Sequence, residues 1–366
     1  MEDGKVGEFM TDWFDTPRGH WLAWSERKKE VLMGTARGRR NVPTFRAMDM
    51  LTQPQQSLLV LENEEQRIGV ESVVGAQTEF RRNIDFQTVY FQFAGHCTIE
   101  TEFGIYEAHP GDLVFIPEGI AQRSTGTADA LRWTFHLREP IREMFSDDKQ
   151  LSHTEFTVSR KNGPSWTIPA ERREAPKGRV TERMIQWRDP SDDWHTIVER
   201  EYEQLIGVTS TKRDRKESAV RTLRVFDCFT EITGRTGPGP KPIIGPNFVL
   251  EMYNTLGWQR AFHRALRSEE FGIQFAGSGF NVSEFEAKQP TLPGACALVP
   301  VGIAHRVFCD PGFLRLVPYS RLPWDPRIDA SMHAYDSSFE VTAKLLKPHD
   351  WHRQAAEEGA SKQAAQ

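Results

Sequence analysis

The clearest signal in the chain is a run of short apolar stretches cut by glycines. From Phe80 to Leu137 the sequence reads as VYFQFAG, HCTIETEFG, IYEAHPG, DLVFIPEG and LRWTFHL. Short β-branched and aromatic runs at this spacing, separated by turn residues, predict antiparallel strands closing into a barrel or sandwich. Ser57 to Val60 and Val70 to Val74 read as further short strands leading into it. A second series starts at Ile243 to Leu256, continues through Phe271 to Gly277 (FGIQFAG), and closes with Phe313 to Val317 (FLRLV). The two series are copies: IPEGIAQRS in the first aligns with VPVGIAHRV in the second, which is the signature of an internal duplication.

Outside the two series the pattern is weaker. Residues 1–58 form an N-terminal arm with three tryptophans around a Pro-Arg-Gly turn, suited to wrapping a barrel or meeting a partner subunit. Residues 59–140 are the first barrel, 141–242 a connecting segment, 243–320 the second barrel, and 321–366 a C-terminal extension and polar tail. Within the connection, SDDWHTIVEREYEQLIGV has apolar spacing compatible with a helix, with a cap at Ser191 and Gly207 near its end. A short helix is also expected in REPIREMFSDD, and VTAKLLK is read as the end of another. SAVRTLRVFDCFTEI fits strand and helix equally. The fold class expected is therefore all-β dominated, two antiparallel double-stranded β-helix (jelly-roll) barrels with a few peripheral helices.

Bulk properties narrow the function. The chain has 366 residues, enough for two domains. A formal net charge of −5 gives no electrostatic reason to expect nucleic acid. RGRR at Arg37–Arg40 is short enough to be a solvated loop. No apolar run has transmembrane length, and the acidic N-terminus is not a secretory signal. Cys97, Cys228, Cys296 and Cys309 lie far apart with no C-x-x-C, which reads as reduced thiols in a cytoplasmic protein.

The candidate chemistry sits in the second series, between Gln259 and Cys309. His263, Glu269 and His305 supply two imidazoles and a carboxylate, the set that holds iron(II) in a facial triad with open positions. His263 and Glu269 are an even number of residues apart, so both face inward if the backbone between them stays extended. Glu270 is a competing ligand. From Gly294 the chain runs Gly294-x5-Pro300-x-Gly302-x2-His305, and the glycines and proline supply tight turns that return His305 to the first pair. The same spacing recurs at Gly111, Pro117 and Gly119, with Gln122 where the histidine stands. His96, His109 and His136 do not occupy the motif positions. Manganese, nickel and zinc fit the same donors as iron. Parity from His263 and His305 favours Arg267 and Arg315 pointing inward to hold a substrate carboxylate. Phe275, with Phe262, Phe271 and Phe280, is a candidate aromatic wall.

The G-x5-P-x-G-x2-H spacing is the second motif of the cupin superfamily, and Glu270 has that superfamily's E-x6-G spacing to Gly277. HRALRSEEFG, the later EAK and PG, and His305 resemble the homogentisate 1,2-dioxygenase family and the related hydroquinone dioxygenase large subunits. TEFG and Asp85-Phe86 resemble the N-terminal half of that family, whose first cupin is metal-free. The resemblance implies a bicupin with Fe(II) on His263, Glu269 and His305. It implies ring cleavage of a hydroxylated, para-dihydroxy aromatic compound by dioxygen, in a homo-oligomer or in complex with a small subunit. The sequence departs from the family at Ala265, Val299 and Ser278, where an asparagine, a histidine and a substrate-contacting tyrosine stand, so no catalytic acid or base is assigned. A non-redox metal-dependent bicupin (lyase, isomerase or decarboxylase) and a non-catalytic subunit are the alternatives.

Overall fold

The computed structural model describes residues 42–143 and 241–345 apart from short gaps, together with the segments 8–16, 19–27, 154–161, 183–188, 194–199 and 221–224. The first half contributes β1 (Glu8–Thr16), β2 (Gly19–Arg27), β3 (Thr44–Phe45), β4 (Ser57–Glu62), β5 (Gln66–Ser72), β6 (Gly75–Ala76), β7 (Phe80–Asn83) and β8 (Gln87–Ala94). It continues with β9 (Cys97–Thr101), β10 (Gly104–Ala108), β11 (Asp112–Ile116), β12 (Gln122–Gly126), β13 (Leu131–Leu137), β14 (Arg142–Glu143) and β15 (Thr154–Arg160). The second half contributes β16 (Arg183–Arg188), β17 (Trp194–Glu199), β18 (Arg221–Arg224), β19 (Ile243–Ile244), β20 (Phe248–Tyr253), β21 (Gly257–Trp258), β22 (His263–Ala265) and β23 (Glu269–Ala276). It ends with β24 (Gly279–Ser283), β25 (Gln289–Thr291), β26 (Cys296–Val299), β27 (His305–Cys309), β28 (Leu314–Ser320), β29 (Asp325–Pro326) and β30 (Phe339–Leu345).

Every strand of the first half has its counterpart fifteen labels later. One sheet runs β18-β11-β8-β13-β5-β4-β29, and its copy runs β3-β26-β23-β28-β20-β19-β14. The facing sheets run β10-β9-β12-β7-β16-β17 and β25-β24-β27-β22-β1-β2. The result is the expected pair of antiparallel jelly-roll barrels in one chain, a bicupin. The edges are exchanged between halves. The N-terminal hairpin β1–β2 docks in parallel on β22 of the second barrel, with Phe9 opposite His263. Its counterpart β16–β17 docks in parallel on β7 of the first. β3 and β14 likewise complete the second barrel, and β18 and β29 the first. β15 and β30 pair with each other along their whole length, Thr157 opposite Thr342 at the centre, so a pseudo-twofold axis passes through that pair. Each exchanged strand covers an edge that would otherwise be open to aggregation.

Alternation along the central strands sorts the apolar residues into separate cores. Phe271, Ile273 and Phe275 of β23 face one way and meet Phe45, Phe91, Phe93 and Trp133 in a large core between the barrels. The residues between them face the barrel interior. A smaller cluster around Val249, Val307, Val317 and Tyr319 fills the inside of the second barrel. Its counterpart around Tyr90, Cys97, Ile99 and Val114 fills the first. The motif glycines Gly119 and Gly302 both have φ of 81°, the left-handed turn that glycine adopts without strain.

None of the three expected helices forms among the described residues. Trp194–Glu199 is strand β17, and Phe339–Leu345 is strand β30. The first pairs with β16 in a hairpin that docks through β16 on β7, and the second pairs with the distant β15; β-branched residues suit both places. Arg138–Ile141 are extended or bent and Arg142–Glu143 is strand β14; the remainder of that expected helix, residues 144–148, lies outside the described residues, as do Arg37–Arg40, Cys228 and Phe262. Among the described residues the one helical element is the 3-10 turn Ala47–Met50. Cys97, Cys296 and Cys309 are buried and form no disulfide.

Candidate metal centre

β22 and β27 are neighbours, and His263 lies directly opposite His305. Their ring centroids are 4.1 Å apart. β23 lies in the facing sheet and sends Glu270 between them. Its Oε2 is 3.1 Å from His305 Nε2 and 3.9 Å from His263 Nε2. One donor atom from each of the three residues lies within 4.8 Å of the others, and all three side chains are buried. Donors that share one ion at about 2.0–2.2 Å stand roughly 3 Å apart at right angles, so the spread needs only small closure. His305 donates from Nδ1 to the carbonyl of Ile303 at 3.2 Å. That turns Nε2 toward the centre, as outer-shell carbonyls do for metal-ligating histidines. The turn that makes this bond is the G-x2-H turn of the motif.

Glu269 does not join the imidazoles. It takes the face of β23 shared with Phe271 and Phe275, and its Oε2 accepts the backbone N–H of Trp324 at 2.8 Å. The parity between His263 and Glu269 fails because the chain leaves one sheet after Ala265 and enters the other at Glu269. Alternation does not carry across that crossing. The carboxylate that the structure brings to the histidines is Glu270.

Burial shapes the electrostatics. It lowers the pKa of His263 to about 4, with the nearby His305 adding to the fall and Glu270 opposing it. Burial alone pushes the Glu270 carboxyl up, but the two imidazoles more than reverse this and hold it well below the usual range. Glu270 Oε1 is buried and has no hydrogen-bond partner. A buried carboxylate oxygen left this way carries a cost on the order of 1–3 kcal/mol or more. A divalent cation removes that cost, so the residues present fit a metal.

The three side chains open on a cavity whose other walls include Tyr253, Gly272, Val299, Arg315 and Tyr319. It leaves about 20 Å³ for the centre of a water-sized sphere, only slightly more than one water requires. Arg315 lies flat against Gly272, where any Cβ would meet the guanidinium carbon at 2.0 Å. Glycine is therefore required at 272 for this placement. Arg315 Nη1 donates to Asn281 Oδ1 at 3.1 Å, and its Nε has no partner. Tyr319 is buried, and burial raises its phenol pKa well above the usual value.

The other expected contacts divide. Arg315 lines the cavity. Arg267 is exposed, since it sits in the crossing between β22 and β23, where strand parity no longer applies. Phe275 is fully buried in the core between the barrels, against Phe91, Phe93 and Phe156, so it is not a wall of this cavity. Tyr253 and Tyr319 were not picked out from sequence. Their signal is register, because Tyr253 pairs with Arg315 and Tyr319 with Glu270.

In the first barrel the positions of His263, Glu270 and His305 are held by Arg81, Thr88 and Gln122, from matching registers. Tyr90 replaces Gly272 and Arg132 replaces Arg315. The Arg132 guanidinium stacks 3.6 Å over the Tyr90 ring. Arg132 also makes 2.9 and 2.7 Å bonds to Glu71 Oε2 and one of 2.9 Å to Ser124. His136 stands at the Tyr319 position, where it accepts from Asn83 and Thr88.

No family model matches the chain, and no curated relative does. Solved structures that match include one described as a cupin barrel protein. A cupin 2 conserved barrel domain protein from Leptotrichia buccalis shares 11% identity, with 76% of this chain and 95% of that chain covered and a TM-score of 0.43. A single-residue variant of oxalate decarboxylase from Bacillus subtilis shares 13%, with 80% and 81% covered and a TM-score of 0.43. A putative glyoxylate induced protein from Pseudomonas aeruginosa shares 10%, with 82% and 94% covered and a TM-score of 0.40. No described helix is long and apolar enough to cross a membrane.

Proposed function

We propose that this chain is a metal-dependent bicupin enzyme. A divalent cation is held by His263, Glu270 and His305, and the chemistry is non-redox (lyase, isomerase or decarboxylase) on a molecule of few heavy atoms. The observation that carries the reading is the buried two-histidine, one-carboxylate group opening on a cavity of about 20 Å³. A cation bound there supplies Lewis-acid polarisation of a substrate oxygen. The chain's own residues supply the rest. Val299, Val307 and Val317 exclude water from the walls, which strengthens every charge interaction inside. Arg315 places a fixed positive charge beside the donors. Tyr319, with its pKa raised by burial, keeps its proton at neutral pH and so acts as a hydrogen-bond donor.

A second reading rests on the donor set. Two histidines and one carboxylate with open positions are the ligands of non-haem Fe(II) oxygenases. This reading is a ring-cleavage dioxygenase acting on a para-dihydroxy aromatic compound. Metal analysis of protein purified without oxygen tests both readings. About one divalent ion per chain is expected, lost in Glu270→Gln. No bound metal in the wild type, even after adding iron(II), manganese(II) or zinc(II), overturns both. Oxygen uptake by the iron form with dihydroxylated aromatics selects the second.

A further inference from the structure

The duplication provides an internal comparison for the second barrel, because each half places an arginine at the same register. Arg132 is 2% exposed and its charge is met by Glu71 of the neighbouring strand at 2.7 Å. Arg315 is 6% exposed. Its hydrogen bond goes to a neutral amide oxygen, Asn281 Oδ1. The residue paired with Arg132 across the strands is Glu71, and the residue paired with Arg315 is Tyr253. The second barrel has thus kept the buried cation and lost the carboxylate that pairs with it. It has also replaced the stacking Tyr90 by Gly272, so the guanidinium lies directly against the strand backbone. Arg315 Nε and Asn281 Nδ2, both buried donors, have no partner. A buried guanidinium without a counter-charge in contact is costly, and the free donors point to an acceptor that the chain itself does not provide.

We propose that the centre takes a short-chain carboxylic acid, and that its carboxylate occupies beside Arg315 the place that Glu71 fills beside Arg132. The arginine receives the carboxylate through charge-assisted hydrogen bonds. The next oxygen of the acid then faces His263, Glu270 and His305. The confined cavity favours short acids over bulky ones. This deepens the proposed function, but Arg315 binds the carboxylate whether or not a metal is present.

Acetate, glycolate and oxalate, with acetamide as the neutral control, are titrated calorimetrically into full-length protein, both metal-free and zinc-loaded. The wild type is expected to bind the acids and not acetamide. Arg315→Met is expected to weaken the acids about ten- to hundred-fold, the weight of hydrogen bonds to a charged group. Tyr253→Glu installs the missing carboxylate and is expected to weaken the acids similarly, in the metal-free protein as in the zinc-loaded one. Should Arg315→Met fail to fold, the wild-type contrast and Tyr253→Glu decide. Equal binding of acetate and acetamide, or acids held unchanged by Tyr253→Glu, overturns the inference. Acid binding without any metal uptake leaves it standing and removes the metal reading. Metal uptake without acid binding does the reverse.

Discussion

Removing Glu71 isolates the electrostatic reasoning from any question of ligand. Arg132 lies 2% exposed inside the first barrel, and Glu71 is the carboxylate paired with it, at 2.7 Å with 12% of its side chain accessible. Breaking a buried pair by deleting one partner costs about 3–5 kcal/mol. Ser124 and the Tyr90 ring remain on Arg132, and the partial exposure of Glu71 lets water into the vacated space. Glu71→Ala is therefore expected near the lower end, about 3 kcal/mol. Glu71→Ala combined with Arg132→Met removes both charges and is expected to recover most of that loss. Urea unfolding followed by circular dichroism measures both. Acid provides a second handle. Burial raises the Glu71 carboxyl, but Arg132 more than offsets this and leaves its pKa below the usual value. The folded state thus favours the ionised form. The stabilisation is complete above the unfolded carboxyl's pKa of about 4.3 and is lost as pH falls through the lower folded value. A loss under about 1 kcal/mol in Glu71→Ala, with no recovery in the double variant, would refute the reasoning. It would also remove the basis for reading Arg315 as a cation awaiting an anion.

Other expectations follow from the same geometry. Glu270→Gln should abolish metal uptake, whereas Glu269→Gln should keep it and lose about 1–2 kcal/mol through the Trp324 N–H it no longer accepts as a carboxylate, measured by metal analysis and urea midpoint. His136 has its pKa lowered to about 4 by burial, so the unfolded chain binds its proton more readily. Its contribution to stability is unaffected above pH ~6.5 and falls by about 3 kcal/mol as pH drops through that window to ~4, and His136→Gln should flatten that slope. Gly272→Val should displace Arg315 and weaken binding of small acids more than binding of metal, read by calorimetry. Deleting residues 1–27 removes the strand beside His263 and should lower metal affinity while the far-UV signal of the barrels persists.

Much of this was legible in the sequence because it is local. The G-x5-P-x-G-x2-H spacing located His305 and the duplication, since turn chemistry is written in adjacent residues. The choice between Glu269 and Glu270 was also present, in the apolar Phe271, Ile273 and Phe275 that assign the odd positions of β23 to the core between barrels. Reading parity forward along β23 selects Glu270. Reading it backward from His263 crosses between sheets and gives the wrong residue. The same crossing misplaced Arg267. The exchanged edges were not legible. Nothing near Trp194–Glu199 says that its partner sheet lies a hundred residues earlier, and a helical period in so short a segment competes equally well.

The exchange across the Thr157–Thr342 axis has a consequence for how such a chain changes over time. In a symmetric homodimer of single barrels, every substitution strikes both copies. A mutation that emptied one barrel's interior to make room for chemistry would also empty the other's. Joined end to end, the copies are independent in sequence while still completing each other's sheets. One could keep Glu71 and Tyr90 as a filled, self-neutralised interior, and the other could give them up for Tyr253 and Gly272. The stable copy then acts as a permanent template edge for the copy that was hollowed out.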